Sequence, residues 1–242
     1  MVESPDMKKL FSFLSFLALF VYAGAIAHNA NAQSRTRINI SGTARAAYMR
    51  NQARLDFYLK DHGAALGNRV FFRVIRNSNR LELFVADRSG HFRFIRNYRI
   101  CGTNNRAMPV GIYNISANGL GFGNVSYLRI ATNFPNQYDM VHGRSGNLFL
   151  QARCGVGQPI SLPDPEMDEV FTITYAAMAH GQSNVPIHIF PFEPNAISMF
   201  RAQKSPNYRV FRQLEPIYNA FERSKTVPNI SVTRAGYSLQ NR

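Results

Sequence analysis

Two cysteines, Cys101 and Cys154, carry the chemistry that this sequence could perform. A free cysteine could act as a nucleophile, but a thiol with a pKa of about 8.5 is mostly protonated at neutral pH and needs an adjacent base or cation. As a pair, the two could instead form a disulfide, worth about 4 kcal/mol in the chain-entropy model. Neither belongs to a spaced Cys/His cluster, so we predict no metal site and no cofactor.

The N-terminal segment bears on this choice. Two lysines precede an uncharged, mainly apolar run at 10–27, and the small-residue motif Ala-Asn-Ala at 30–32 precedes Gln33. This pattern predicts a signal peptide over residues 1–32 rather than a membrane anchor. Export leads to an oxidising compartment, where an even number of cysteines favours a disulfide. We therefore expect a protein of the periplasm or cell envelope with no membrane span after cleavage.

The exported chain is strongly basic. Without residues 1–32 it has 210 residues, of which 26 are basic and 12 acidic. This length suits one domain with its own core. Its charge should attract polyanions such as teichoic or lipid phosphates or the carboxylates of peptidoglycan stems. The basic residues are scattered and no run exceeds two, so the patch or motif of a nucleic-acid-binding protein is missing.

Helical periodicity occurs in three segments. The first is Ala44 to Asp61, which reads as a surface helix. The second begins at Asp164 and runs to about Ala179. We expect Asp164 to be its N-cap, with acidic residues near the positive end of the helix dipole. The third, Tyr208 to Arg223, has one apolar stripe.

Strand-like alternation occurs in seven segments, six of them between the first two helices and one after the second. The segments with this pattern are 70–76, 81–86, 91–100, 111–115, 127–131, 148–151 and 185–190. The first three are separated by turn compositions and predict an antiparallel meander. We expect its solvated face to carry Arg73, Arg76, Arg93 and Arg96. His188, in the last strand, is interpreted as a structural residue. The predicted fold class is α+β, mostly antiparallel β with peripheral helices.

Seven blocks of the sequence occur in an order typical of one protein family. The most characteristic is 134–146, Phe-Pro-Asn-Gln-Tyr-Asp-Met-Val-His-Gly-Arg-Ser-Gly. The others are 70–76, 81–85, 98–101, 109–113, 185–192 and 218–222. Together they resemble the YkuD-type L,D-transpeptidases, in the YafK-like branch, over about residues 45 to 235.

The resemblance implies a cleft in which a cysteine thiolate attacks an amide of a peptidoglycan stem peptide. A histidine would act as the base and backbone N–H groups would hold the oxyanion. Acyl transfer to an amine or to water would give a transpeptidase or a hydrolase. We expect four regions: the signal peptide at 1–32, a linker and N-terminal helix at 33–68, an L,D-transpeptidase-like domain at 69–193, and a C-terminal helical extension packed on it at 194–242.

The catalytic pair of the branch is missing from the expected positions. The branch pattern resembles His-Gly-x-Cys-x-Ser-x-Gly-Cys after an apolar strand, with the first His and the last Cys catalytic. Here Gln151 occupies the position of that His, Cys154 that of the inner Cys, Val156 that of the Ser and Pro159 that of the nucleophile. Glutamine cannot act as a base, and proline lacks both a nucleophile and an N–H. The resemblance thus implies a degenerate site.

A rearranged site is the alternative. The wider superfamily also uses a His-Gly followed later by a catalytic Cys, and His142-Gly143 lies 12 residues before Cys154. Against this, the resemblance makes Cys101 a natural disulfide partner of Cys154, which would remove the thiol.

Five residues are candidates for substrate binding: Tyr138, His142, Gly143, Arg144 and Arg153. His142 and Arg144 could hold a turn through hydrogen bonds, or they could bind a stem carboxylate, for which a guanidinium is well shaped. The loop between Cys101 and Met108 is shorter than the one that borders the substrate cleft in the family. This shortening speaks further against stem-peptide processing.

Three functions therefore compete. The first is a catalytically silent family member that binds peptidoglycan stem peptides, or that regulates an active envelope enzyme or a peptidoglycan-linked protein. The second is a working transpeptidase or hydrolase that uses His142 and Cys154. The third is a basic structural or polyanion-binding envelope protein, whose binding would ignore stem composition and collapse with salt.

We predict that export removes the leader before Gln33. The basis is the Ala-Asn-Ala motif at 30–32, and the result does not depend on whether translation starts at Met1 or Met7. N-terminal sequencing of the protein from an envelope fraction should begin at Gln33. An intact apolar segment in the membrane fraction would identify an anchor instead.

Overall fold

The computed structural model describes residues 38–102, 108–120, 127–155 and 157–240. The signal peptide, its cleavage motif, the first part of the linker, Val156 and the middle of the loop after Cys101 lie outside these ranges. Within them, no helix is both long and apolar enough to cross a membrane.

A five-stranded sheet forms the centre of the described chain. Its strands are β1 (Val70–Ile75), β2 (Arg80–Ala86), β3 (Phe92–Arg99), β4 (Gly111–Ser116) and β8 (Asn184–Phe190), in the order β3-β2-β1-β8-β4. The predicted antiparallel meander is confirmed, because β2 pairs antiparallel with both β1 and β3. The pairing of β1 with β8 is parallel. Because β8 lies beside β1 in the centre of the sheet, the helices that follow β8 in the chain start next to β1.

Two smaller sheets complete the β structure. The first contains β5 (Arg129–Ala131), β6 (Phe149–Ala152) and β7 (Ile160–Leu162), with β6 in the middle and parallel to β7. The second is a hairpin of β9 (Ile230–Thr233) and β10 (Gly236–Leu239). The sequence did not predict β7 or the hairpin. With the helices, these sheets make the α+β fold that was expected.

Five helices lie in the described ranges: α1 (Gly42–Asp61), α2 (Gln137–Val141), α3 (Asp164–Ala179), α4 (Ala196–Ala202) and α5 (Tyr208–Ser224). The bounds of α3 are those predicted, but its cap is not. Pro163 is the N-cap residue and makes no side-chain cap hydrogen bond. Asp164 is the first helical residue, and its carboxylate accepts a hydrogen bond from the Arg153 N–H at 3.0 Å instead. The prediction of Asp164 as N-cap was therefore wrong.

Helix α1 packs against α3 through one face. Ala44, Ala47, Leu55 and Leu59 are buried in the main core. At the edge of this contact, Arg50 pairs with Asp168 at 2.8 Å and Arg54 with Glu169 at 2.7 Å. The two arginines are more than half exposed, so these ion pairs are expected to add little stability compared with the apolar contact.

Arg73 does not lie on a solvated face, contrary to expectation. Its side chain is 7% exposed and bonded to both Glu82 and Glu222. Its guanidinium also lies 4.6 Å from the centre of the Tyr218 ring. The physical reason is that α5 covers this face of the sheet and supplies both Glu222 and Tyr218. A buried guanidinium needs such partners, because an unpaired charge in the interior is costly.

The other three arginines of the meander differ in their environments. Arg93 is exposed and bonded to Asp87 at 2.7 Å, as fits a solvated face. Arg96 bonds Glu169 of α3 at 2.9 Å, and Arg76 is half-buried. The expectation of a uniformly solvated face therefore holds for Arg93 alone.

His188 is a buried residue of β8 next to Arg73. It is 1% exposed, and its ring centre lies 4.7 Å from that of Phe71. Burial, and then the positive charge of Arg73, lower the pKa of His188 to about 3. The folded protein therefore holds this side chain neutral at any physiological pH.

We predict that His188 makes the protein sensitive to acid. Its folded pKa of about 3 is below the unfolded value, so the unfolded chain binds the proton more readily. The stability from this group is complete above pH about 6.5 and falls as the pH drops toward 3, by about 1.4 kcal/mol per pH unit. Urea unfolding of the wild type and of His188→Leu across this range tests this. Equal slopes of unfolding free energy against pH would contradict it.

Candidate functional site

Gln151, which the resemblance to the L,D-transpeptidases predicts to replace the catalytic His, lies in the middle strand of the three-stranded sheet. It pairs with Arg129 on β5 and with Ser161 on β7. Its neighbours Leu150 and Ala152 point into the main core, so Gln151 lies on the opposite face of the strand. It is 5% exposed. A buried amide at this position can donate and accept hydrogen bonds but cannot take up a proton.

The turn after β6 brings the chain back parallel to that strand. Leu150 pairs with Ile160, which follows it by ten residues. Arg153 has φ +72°, an uncommon value for a residue with a side chain, and its N–H is held by Asp164. The carboxylate of Asp164, at the start of α3, thus fixes the beginning of the β6–β7 turn. The Arg153 side chain itself is exposed.

Pro159, which the resemblance predicts to replace the nucleophile, lies at the end of this turn, directly before β7. A Cβ atom at Gly102 would collide with the carbonyl oxygens of Gln158 and Pro159. The backbone of residue 102 therefore packs directly against this position. Pro159 contributes neither a reactive side chain nor an N–H to the space around it.

The cysteine pair crosses the same region. The N–H of Cys101 donates to the Ser161 carbonyl at 2.9 Å, which extends the pairing along β7. Cys101 forms a disulfide with Cys154, with their Cα atoms 5.2 Å apart. The predicted pairing is confirmed. Since the chain has two cysteines in all, neither thiol is free in this structure.

A second group of candidate residues surrounds α2. Asn136 and Asp139 form a capping box, in which each side chain bonds the backbone N–H of the other. Asp139 is fully buried and also accepts hydrogen bonds from Arg144 at 3.0 Å and Tyr113 at 3.3 Å. Burial is the main cause of a raised pKa for Tyr113, which stays neutral and able to donate. Asp139 is the residue that fixes Arg144 in place.

His142 follows the last turn of α2. Its Nδ1 lies 2.8 Å from the Tyr138 carbonyl oxygen, and its ring centre is 4.0 Å from that of Tyr138. Gly143 next to it has φ +68°, a conformation that glycine adopts without strain. In this structure His142 contacts its own helix, whereas the sulfur of Cys154 is bonded to Cys101.

Arg76 is a cation that the sequence did not single out as a site residue. It follows β1, and its guanidinium donates to the Met108 carbonyl oxygen at 3.1 Å. Among the described residues, no carboxylate forms an ion pair with it. Burial, and then the charge of Arg144, lower the pKa of Arg76, although a guanidinium remains charged at all relevant pH values. The two arginines thus create a positive potential that an anion would relieve.

The structure sorts the predicted site residues into two groups. Around the β6–β7 turn lie Gln151, Arg153, Cys154, Pro159 and Cys101. Around the end of α2 lie Tyr138, His142, Gly143 and Arg144. Sequence reasoning missed Ser161, Asn136 and Arg76. An Asn-x-x-Asp spacing at 136–139 is a capping signal that could have identified Asn136.

No metal-binding arrangement is visible in the described part of the chain. Within it, no three His, Cys, Asp or Glu side chains are grouped so that they could hold an ion.

Comparison with known proteins gives the following relatives. No family model matches the chain. The protein named "Putative L,D-transpeptidase YafK" of Escherichia coli strain K12 is 28% identical over 184 residues, which cover 71% of this chain and 74% of the relative. The protein of the same name from E. coli O157:H7 has the same identity and coverage.

Two solved structures are also similar. That of Bdellovibrio bacteriovorus Bd1075 matches at 17% identity and a TM-score of 0.37, over 64% of this chain and 62% of its own. This chain thus spans less than two thirds of that protein. A variant of the helical cell shape determining protein Pgp2 of Campylobacter jejuni matches at 14% identity and a TM-score of 0.38, over 82% of this chain and 85% of its own.

We predict that the disulfide contributes substantially to stability. The bond closes a loop between positions 53 residues apart. Removing it should cost about 4 kcal/mol and lower the melting temperature by roughly 10 °C, because the unfolded chain gains entropy. Thermal melts of the wild type with and without reductant, and of the Cys101→Ala/Cys154→Ala variant, measure this. Unchanged melting temperatures would contradict the prediction.

Proposed function

We propose that this chain, which is 28% identical to the protein named "Putative L,D-transpeptidase YafK", is a YafK-like member of the L,D-transpeptidase family and a peptidoglycan-associated protein of the cell envelope. In this proposal its role is binding or regulation, and its catalytic site is degenerate. The disulfide between Cys101 and Cys154 is the observation that carries the proposal.

The disulfide removes the nucleophile that catalysis in this family needs. Covalent catalysis in this family needs a thiolate. A sulfur in a disulfide carries no proton and cannot ionise to a thiolate, so it cannot act as the nucleophile. Cys154 is the single cysteine of the β6–β7 turn, so no other residue of the turn can replace it. The rearranged site with His142 would first require reduction of this bond.

The residues at the family positions support the same conclusion. Gln151 is buried between Arg129 and Ser161 and has no basic nitrogen. Pro159 removes the nucleophile and a backbone donor at once. Base, nucleophile and one oxyanion donor are therefore missing together.

Binding of an anionic stem peptide is supported by the two arginines near α2. Arg144 is held by the fully buried Asp139 and is thus fixed in direction, while Arg76 lacks a carboxylate partner within the described residues. A carboxylate placed between two guanidinium groups would gain charge-assisted hydrogen bonds from both. Arg153, exposed at the β6–β7 turn, adds a further cation.

The partners proposed are peptidoglycan stem peptides and, for a regulatory role, an active envelope enzyme or a peptidoglycan-linked protein. The location follows from the predicted leader and from the family. The basic charge of the chain favours an anionic partner of this kind over a neutral one.

We predict no cysteine-dependent peptidoglycan chemistry. Losing a nucleophilic unit of this kind costs roughly 10⁶-fold in comparable enzymes. Incubation with tetrapeptide muropeptides should give no crosslinked or cleaved product, and mass spectrometry should find no acyl adduct. The Cys101→Ser/Cys154→Ser variant is the control and should give the same background.

An acyl adduct on Cys154 would overturn this proposal. It would establish instead the enzyme that uses His142 and Cys154. Repeating the incubation with reductant tests whether reduction of the disulfide uncovers such an activity.

Binding is tested with purified sacculi at several salt concentrations. Arg144→Lys and Arg153→Gln should each weaken binding several-fold. The first keeps the positive charge but removes the planar guanidinium, and the second removes the charge. Arg88→Gln is the matched control, because Arg88 is exposed on the β2–β3 turn, far along the chain from either group. An equal loss in all three variants would indicate a basic protein that binds polyanions without recognising stem peptides.

A further inference from the structure

The short helix α4 exposes two large apolar side chains. Ile197 is 65% exposed and Phe200 is 71% exposed. They are three residues apart and therefore neighbours on one face of the helix. Met199, between them, is buried in the cluster formed with α5. The helix thus has an inner face that packs on the protein and an outer face that is apolar but uncovered.

Helix α4 is firmly attached, so this exposure is a property of the fold. Asn195 and Ser198 form a capping box at its start. Phe192, just before the helix, contacts the Phe211 ring of α5 at 5.5 Å between ring centres. Ile197 and Phe200 are therefore presented in a fixed position.

The segment that carries these side chains has only basic charges, between the flanking acids Glu193, which pairs with Arg80, and Glu215. Between Pro194 and Leu214 the sequence has four basic residues and no acidic one. The four, all exposed, are Arg201, Lys204, Arg209 and Arg212. Within the described residues none of them forms an ion pair. The segment combines two uncovered apolar groups with four exposed basic side chains.

We propose that residues 195–212 form a contact surface for an anionic lipid bilayer. Ile197 and Phe200 enter the boundary between headgroups and acyl chains, and the four cations face the lipid phosphates. This inference is independent of the peptidoglycan site, since it uses none of its residues.

The pattern fits a lipid surface better than a protein partner. A stable protein interface buries about 800 Å² on each side and has a packed apolar centre. Two apolar side chains on one short helix are too few for that. Shallow insertion into a bilayer needs only a small apolar group flanked by basic residues, and the attraction to anionic lipid requires no matching shape.

A tryptophan reporter gives the direct test, because the chain contains no tryptophan. Phe200→Trp places a single fluorophore on the surface. Phe57→Trp is the matched control, since Phe57 on α1 is also 71% exposed. The protein is the exported chain beginning at Gln33, mixed with vesicles of equal parts phosphatidylglycerol and phosphatidylethanolamine. We expect a blue shift for Trp at 200 and none at 57.

Sedimentation with the same vesicles measures the affinity. Ile197→Ser/Phe200→Ser should weaken binding at least roughly tenfold, as expected for loss of two partly buried apolar groups. Met49→Ser/Phe57→Ser, at 62% and 71% exposed positions of α1, is the control and should bind like the wild type. Arg201→Gln/Lys204→Gln should also weaken binding, whereas Arg45→Gln/Arg88→Gln should have a smaller effect. Circular dichroism verifies that each variant is folded.

Three results would overturn the inference. One is an absent shift for Trp at 200, or an equal shift at 57. Another is equal binding to phosphatidylcholine vesicles, which would remove the role of the charges. The third is an Ile197→Ser/Phe200→Ser variant that loses binding to sacculi but keeps binding to vesicles. This result would mean that the surface of residues 195–212 contacts the cell wall. The Arg144 and Arg153 variants should leave vesicle binding largely unchanged, so the two proposals can fail separately.

Discussion

The disulfide between Cys101 and Cys154 is the constraint on which the candidate site depends. It joins the chain just after β3 to the turn between β6 and β7, two parts that belong to different sheets. The same turn is held from the other side by the Asp164 carboxylate, through the Arg153 N–H. These two attachments hold the short β6–β7 turn in the shape that lets β7 pair in parallel with β6. The bond that gives this order also holds the only cysteine sulfur of the turn, Cys154, so that the turn has no free thiol in this structure.

Two arginines close in sequence, Arg73 in the interior and Arg76 at the candidate site, differ in how their positive charges are paired. Arg73 is buried but fully compensated by Glu82 and Glu222 and by the ring of Tyr218. Such a network attaches α5 to the central sheet and leaves no capacity for a ligand. Arg76, three residues later, has a carbonyl oxygen as its partner and the charge of another arginine nearby. This contrast is the physical basis for proposing that Arg73 serves the fold and that Arg76 binds an anion.

Much of the fold could be predicted from local patterns, and the rest depended on distant contacts. The meander and the bounds of α3 follow from alternation, turn residues and a proline near the helix start, all of which act locally. The burial of Arg73 could not be predicted, because its partner Glu222 lies 149 residues away. Strand β7 has three residues, too few for a periodic signal. For the site, the cysteine count, the expected compartment and the family resemblance together predicted the disulfide. The influence of Arg144 on Arg76 could not be predicted, because these two residues are distant in the sequence and meet only in the folded chain.

The oxidation state of Cys154 in the protein isolated from cells tests the central claim most directly. The unreduced protein is denatured, alkylated, digested and analysed by mass spectrometry. We expect no alkylation of either cysteine and a single crosslinked peptide containing Cys101 and Cys154. Full alkylation of both residues without reductant would contradict the account, since it would restore a free thiol to the β6–β7 turn.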